Sequence, residues 1–225
     1  MQPVTPLILA VDTTHAQGSL ALARAGDLIE EVALESAAGF AHVIYARLAA
    51  LLERHRVSAD DVDCFAAASG PGAFTGVRVC LACVKGLAEA CGKPAVAVSN
   101  LAAIARFGTA PVRAAMFDAR RGESYAAVYD DAGRILSPET VAAPAPWLDA
   151  LPDQVELISP DFTAFAEALA ASRCRDARRT TAPRALAGAI ARIAWQRWQS
   201  GVTSDPAALD ANYVRRSDAE LLWKG

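Results

Sequence analysis

Hydrophobic and polar positions along this chain follow two periods in turn. Apolar runs at residues 7–12, 18–24 and 28–34 are separated by the short turns His15-Ala16-Gln17-Gly18 and Ala25-Gly26-Asp27. That spacing predicts three sequential strands in an antiparallel meander. Residues 41–54 then shift to a helical period: Ile44, Leu48, Leu51 and Leu52 form one stripe, which Val43, Ala46, Ala49 and Ala50 widen beyond an ordinary amphipathic face. Cys64-Phe65-Ala66-Ala67-Ala68 reads as a short buried strand, and residues 77–91 as a helix of small apolar residues whose wet edge is Lys85 and Glu89. Gly92-Lys93-Pro94 stops that helix, residues 94–98 form another strand, and a helix capped by Ser99 runs to Phe107.

The pattern then starts again. Residues 112–118, 124–129 and 134–141 predict three more strands, with Asp130-Asp131-Ala132-Gly133 as the last turn. Ala143-Pro144-Ala145-Pro146 reads as a rigid spacer, residues 155–159 as a strand, and residues 162–172 and 185–199 as helices. Gly108-Thr109-Ala110-Pro111 is the expected seam, giving a first lobe over 1–108 and a second over 109–225, with the final segment a candidate for packing back on the first lobe. Three strands followed by helix and strand in each half point to a duplicated architecture, although no close sequence repeat is visible. The helices at 41–54 and 77–91 are apolar on nearly two sides, so beyond their own sheet each needs a second neighbour.

Composition narrows the function classes. With 53% hydrophobic and 21% charged residues over 225 positions, the chain is globular and has room for one large domain or two small ones. A net charge of -3 gives nucleic acid no overall reason to bind. The basic clusters Arg120-Arg121, Arg173/Arg175/Arg178/Arg179 and Arg215-Arg216 therefore default to solvated surface, with Arg120 and Glu123 a candidate ion pair. Five cysteines sit mostly in apolar segments, as expected of reduced thiols, and the Cys80-x-x-Cys83 pair lies inside a predicted helix with no second pair beside it. His15, His42 and His55 have no spacing that suits a shared metal, and no Ser/His/Asp set assembles. The first residues lack a basic segment ahead of an apolar run, and no apolar stretch approaches membrane-spanning length, so the expected compartment is the cytoplasm with no membrane contact.

One stretch organises the rest: Ser69-Gly70-Pro71-Gly72-Ala73-Phe74-Thr75-Gly76-Val77-Arg78. Strand, glycine loop and helix follow one another. Gly70, Gly72 and Gly76 permit close backbone approach, Thr75 is placed to cap the helix, and such a helix start can hold an anion. Asp12, Gly70, Gly72, Thr75 and Gly76 are accordingly the candidate nucleotide or anion contacts. The alternative is a tight strand-to-helix turn and nothing more.

Four stretches together resemble the TsaB (YeaZ) family of bacterial tRNA-modification proteins: Leu9-Ala10-Val11-Asp12-Thr13-Thr14 with Gly18-Ser19-Leu20-Ala21-Leu22; Gly70 to Arg78; Phe117-Asp118-Ala119-Arg120-Arg121-Gly122-Glu123-Ser124-Tyr125; and Tyr213-Val214-Arg215. The family usually carries Ser where this chain has Ala73. The resemblance implies an α/β, actin-like/sugar-kinase/Hsp70 (ASKHA, ribonuclease H-like) fold of two lobes with mixed sheets. It also implies a non-catalytic partner of TsaD, acting with the small ATPase TsaE to transfer threonylcarbamoyl to the adenosine beside the anticodon of tRNA. ATP and metal would then belong to the partner proteins, and this chain would bind no cofactor productively. The two Asp-x-Gly phosphate turns of working relatives are Asp12-Thr13-Thr14 and Asp118-Ala119-Arg120 here, and Asn100 and Ile104 stand where TsaD carries its metal-binding histidines. The resemblance places the joint with TsaD on helices of the first lobe. Ile44, Leu48, Leu51, Leu52, Val77, Leu81 and Val84 are the expected interface, and the same surface could form a homodimer when TsaD is absent. Asp118, Arg120, Glu123 and Arg215 are structural or tRNA-facing candidates. The competing readings are a standalone ATPase or kinase using Asp12, Asp118 and the Thr75 loop, and a metallopeptidase-like hydrolase of the same fold.

Overall fold

A computed structural model describes residues 5–215. Leu7–Asp12 (β1), Gly18–Arg24 (β2) and Asp27–Leu34 (β3) form the expected antiparallel meander. Cys64–Gly70 (β4) joins β1 in parallel, and Ala95–Ser99 (β5) joins β4, giving a five-stranded sheet in the order β3-β2-β1-β4-β5. Val112–Arg120 (β6), Glu123–Asp130 (β7), Ile135–Ala142 (β8), Glu156–Ser159 (β9) and Arg179–Thr181 (β10) repeat that plan. Their order β10-β9-β6-β7-β8 is the first sheet's order with each strand replaced by its counterpart, and the parallel and antiparallel pairings match. The duplication expected from the element order is therefore present. β10 escapes a periodicity reading because its three residues, Arg-Thr-Thr, carry no apolar alternation.

The described residues group into two compact units, one of residues 5–100 with 184–212 and the other of residues 101–183 with 213–215. The first unit thus ends at Asn100 and takes in Arg184–Asn212, which the sequence reading assigns to the second lobe.

In the first unit, every position of β1 and β4 is buried, which requires cover on both faces of the sheet. Ile44–Arg54 (α1), Phe74–Ala90 (α2) and, from the far end of the sequence, Ala187–Gln199 (α6) supply it. Ser19 on β2 fixes the start of α6: its hydroxyl oxygen accepts from the backbone N–H groups of Leu186 and Ala187 at 3.1 and 2.9 Å. Beyond α6 the chain pairs with β5 through Ala95 and Ser204, and Lys85 donates to the Ala207 carbonyl at 3.1 Å. Lys85 is thereby half-buried under this segment, and the wet edge expected of α2 falls to Glu89.

The second unit has its own core, in which Ala114, Met116, Ala126 and Val128 of the sheet meet Leu148 of Pro144–Asp149 (α4), Phe165, and Leu169 of Ala166–Ala171 (α5). Pro144 and Pro146 open α4 and do not form a spacer. N–H groups in the first helical turn have no intrahelical acceptor, so proline loses nothing there. The helix Asn100–Ala105 (α3) is shorter than expected and links the two units in sequence. Among the described residues no helix is long and apolar enough to cross a membrane.

Glu156, at the start of β9, ties the second unit together from a fully buried position. Its Oε2 accepts from the N–H groups of Thr109 and Ala110 at 2.6 and 2.7 Å, its Oε1 accepts from the Thr180 hydroxyl at 2.6 Å, and Arg178 forms an ion pair with Oε1, its Nε 3.2 Å away. Desolvation is the largest single influence and works to raise the pKa of this carboxyl. The bonds from Thr180, Ala110 and Thr109 and the charge of Arg178 together outweigh it and hold the pKa below its ordinary value. A carboxylate depressed on folding contributes stability above its unfolded pKa and loses it as the pH falls through the folded one. Glu156→Gln is therefore expected to cost on the order of 3 kcal/mol near neutral pH and to flatten the acid limb of a stability-against-pH curve. Urea melts of both proteins at neutral and acid pH check this; parallel curves with equal stability would contradict it.

Candidate functional site

The loop after β1 and the glycine loop after β4 meet at the ends of adjacent parallel strands, the usual place for a ligand in such sheets. Asp12 is fully buried. Its Oδ1 accepts from the Thr14 N–H at 2.8 Å and from the Thr14 hydroxyl at 2.6 Å, and its Oδ2 lies 3.5 Å from Asn100 Nδ2. Asn100, also fully buried, donates to Thr14 Oγ1 at 2.7 Å and accepts from the Gly70 N–H at 3.0 Å. The Thr14 hydroxyl has one proton, already given to Asp12, so the contact between Thr14 Oγ1 and His15 Nδ1 at 2.9 Å is a donation from the imidazole. One hydroxyl thus links the carboxylate, the Asn100 amide and His15. Burial of the His15 ring is the largest influence on its pKa and lowers it; the Asp12 carboxylate opposes that shift and Arg184 adds to it. The imidazole is consequently held neutral, which suits a donor to a neutral hydroxyl.

The glycines explain how closely the two loops approach. A Cβ on Gly76 would lie 2.1 Å from the Thr13 carbonyl oxygen, and one on Gly72 would lie 2.7 Å from both Thr14 Cβ and Thr14 O. Thr13 Oγ1 donates to the Gly76 carbonyl at 2.7 Å, and the Ala73 N–H donates to Thr14 O at 2.7 Å. In this chain the space opened by Gly72 and Gly76 is filled by the Thr13-Thr14 backbone. Gly70, at φ +101°, is held from its other side by Asn212, whose N–H donates to Ser69 O at 2.8 Å. Thr75 does not cap α2. The helix begins at Phe74, three residues before the expected start at residue 77, with Ala73 as its N-cap and no side-chain cap bond, so Thr75 sits exposed in the first turn.

The second unit repeats the turn with a different outcome. Asp118 Oδ1 accepts from the Arg120 N–H at 2.7 Å, the same bond to residue i+2 that Asp12 makes to Thr14. Asp118 is exposed, however, and Arg120 carries an outward side chain. Arg215 pairs with Glu123, donates to the Ala119 carbonyl at 2.8 Å and lies over the Tyr125 ring. Glu123 therefore pairs with Arg215 where the sequence suggested Arg120. Arg216 lies outside the described residues.

The expected partner interface is corrected by burial. Ile44, Leu48, Leu51, Leu52, Val77, Leu81 and Val84 are 0–7% exposed, because the apolar stripe of each helix is the one its own sheet covers. The opposite face carries Tyr45, Ala46, Ala49, Phe74, Arg78, Ala82 and Gly86. Tyr45 is 57% exposed, and Phe74 is 45% exposed with the Arg78 guanidinium stacked 3.8 Å from its ring centroid. Burial pushes the Cys83 thiol up to about 11 and the Cys64 thiol up to about 12, and raises that of Cys80 as well, so these groups stay protonated and are poor nucleophiles. Among the described residues no group of three or more His, Cys, Asp or Glu side chains is placed to hold a metal ion.

Three functional participants are missed by sequence reasoning. Asn100 is noted there only as a replacement, His15 only as a turn residue, and Asn212 not at all. A buried-side asparagine opening an otherwise apolar helix was the available signal for the first.

A family model described as TsaD, tRNA N6-adenosine threonylcarbamoyltransferase, matches residues 28–183. An uncharacterised protein of Mycobacterium tuberculosis strain H37Rv is 31% identical, over 96% of this chain and 94% of its own length. The tRNA threonylcarbamoyladenosine biosynthesis protein TsaB of Bacillus subtilis is 30% identical over 65% of this chain and 66% of its own. The structure of YeaZ from Pseudomonas aeruginosa superposes with a TM-score of 0.75 at 28% identity, covering 92% of this chain and 99% of that one.

Gly76→Ala forces a methyl group into backbone and is expected to cost about 3 kcal/mol; Gly86→Ala, on an open helical surface, is expected to gain up to about 1 kcal/mol. Chemical denaturation of the two variants checks the pair. Equal effects would mean that the glycine loop does not pack on Thr13 as described.

Proposed function

The chain belongs to the TsaB (YeaZ) family, and from that premise we propose that it is the non-catalytic partner of a TsaD-like protein in threonylcarbamoyl transfer to tRNA. Its fold is the actin-like/sugar-kinase/Hsp70 one, with mixed five-stranded sheets in both units. Curated relatives are named for tRNA threonylcarbamoyladenosine biosynthesis, which ties the family to that pathway.

The observation that carries the non-catalytic reading is the state of Asp12. A carboxylate that is to orient a metal or activate a nucleophile must present an oxygen to the reacting group. Asp12 is buried, and its oxygens face Thr14 and Asn100. The space opened by Gly72 and Gly76 beside it is occupied by the chain's own Thr13-Thr14 backbone. ATP and metal are accordingly assigned to the TsaD-like protein and a TsaE-like ATPase, and tRNA reaches this chain through the complex, in the cytoplasm.

The TsaD-like partner is assigned to the outer face of α1 and α2. Two exposed aromatics, Tyr45 and Phe74, flank a floor of Ala49, Ala82 and Gly86, and large anchors beside small residues are what a close helix-to-helix joint uses. The same face would serve a homodimer of the isolated chain. Ala82→Arg adds bulk and charge on this exposed face and is expected to leave the melting temperature within about 2 °C while weakening copurification with the TsaD-like partner at least tenfold. Retained copurification would remove the interface assignment. In a reconstituted reaction, omission of this chain is expected to abolish tRNA modification. Equal modification without it, or modification by this chain alone, would end the partner reading.

A further inference from the structure

We propose that residues 203–212 form a strap whose last residue, Asn212, positions the glycine loop and, through it, Phe74 on the partner face; this rests on the reading that the outer face of α1 and α2 takes the TsaD-like protein. The reason lies at the end of β4. Strands β4 and β5 pair Ala68 with Val98 and Gly70 with Ser99, so the register shifts between them and Ser69 has no counterpart on β5. A bulge of this kind ends a ladder and re-aims the chain that follows. It also leaves a backbone carbonyl to be satisfied from elsewhere. The Asn212 N–H meets that need, donating to Ser69 O at 2.8 Å.

The contact extends to the next residue. The Gly70 N–H is taken by Asn100 Oδ1 at 3.0 Å, its carbonyl oxygen lies 3.5 Å from Asn212 Nδ2, and a Cβ on it would stand 3.2 Å from Asn212 O. Gly70 is thus held by Asn100 and by Asn212, at a φ of +101° that favours glycine. Phe74 opens α2 a few residues later, so the pose of this peptide sets where the aromatic ring and the first turn of the helix stand. Thr13, Thr14 and Asn100 brace the loop from the β1 side. Asn212 is the brace that comes from the far end of the chain.

The strap is pinned at points. Ser204 exchanges both backbone bonds with Ala95 of β5 at 2.9 and 3.0 Å, Asp205 accepts from the Ala207 N–H at 2.8 Å, and the Ala207 carbonyl accepts from Lys85 of α2 at 3.1 Å. Leu209 is its one buried residue, while Thr203, Ser204, Asp205, Ala207, Ala208 and Asp210 are exposed. Where the strap passes the C-terminal end of α2, a pocket of about 360 Å³ lined by Ala88, Glu89, Lys93 and Asp205 separates the two. A segment with one buried side chain and a few exposed bonds opens at lower free energy than the sheet beside it. Opening removes a brace from the glycine loop, the population with Phe74 in place for the partner falls, and the apparent affinity falls in proportion.

The test uses the full chain, alone and with the TsaD-like protein. Asn212→Pro deletes the N–H and the side-chain amide together and changes no residue of α1 or α2. Hydrogen exchange of the isolated variant is expected to run about tenfold faster than wild type over residues 69–78, with β1 and β2 unchanged and the melting temperature within about 2 °C. Lys85→Met, which releases the strap at Ala207, is expected to speed exchange over 203–212 and over 69–78; Lys85→Arg, which keeps a donor there, is expected to hold both near wild type. In titrations with the TsaD-like protein, Asn212→Pro is expected to raise the Kd about tenfold. Unchanged exchange over 69–78 in Asn212→Pro would overturn the proposal. So would a lowered melting temperature with faster exchange throughout the first unit, the mark of a purely structural role. If the wild-type chain does not bind the TsaD-like protein, the partner reading falls and takes this one with it. If wild type binds and Asn212→Pro binds equally well, this proposal alone falls.

Discussion

The first unit depends on one saturated hydroxyl. Thr14 Oγ1 donates to Asp12 and accepts from Asn100 and His15, so every hydrogen-bonding position it has is filled inside the protein. Asn100 then carries the same constraint to Gly70 and fixes the glycine loop against the turn after β1. Buried polar networks of this kind are costly when half made and specific when complete. The network also constrains the site, since Oδ1 of Asp12 takes two bonds from Thr14 and Oδ2 faces Asn100 through one long contact of 3.5 Å.

Duplication gives this point an internal control. Both sheets have the same strand order, and both first turns use an aspartate to bond the N–H two residues on. In the first unit that turn is sealed by Asn100 and the glycine loop. In the second it is an open hairpin braced by Arg215 and Glu123, with Arg120 directed outward. The same turn is a structural lock in one half and an exposed hairpin tip in the other.

Much of this was legible from residue order, and the failures have physical causes. The meander, the strand–loop–helix at Gly70 and the repeated second half follow from apolar period and turn chemistry. The open face of α1 and α2 does not, because a helix apolar on nearly two sides does not say which side its own sheet takes; Leu48 and Val84 lie on the covered side and Ala49 and Gly86 on the open one. Pro144 reads as a break unless the missing N–H of a first helical turn is considered. Thr75 reads as a cap because threonine favours caps, yet the helix starts at Phe74, three residues sooner than its apolar period suggests, where the loop packs on Thr13. The role of Asn100 needs tertiary contacts between residues 30 and 88 positions apart, which no local pattern encodes.

A non-catalytic partner of the kind proposed here keeps the frame of a group-transfer fold without a working centre of its own. Nucleotide turnover by the isolated, purified chain in the presence of magnesium tests that reading most directly. No hydrolysis above that of buffer is the predicted result, and magnesium-dependent turnover that disappears in Asp12→Asn would contradict the account.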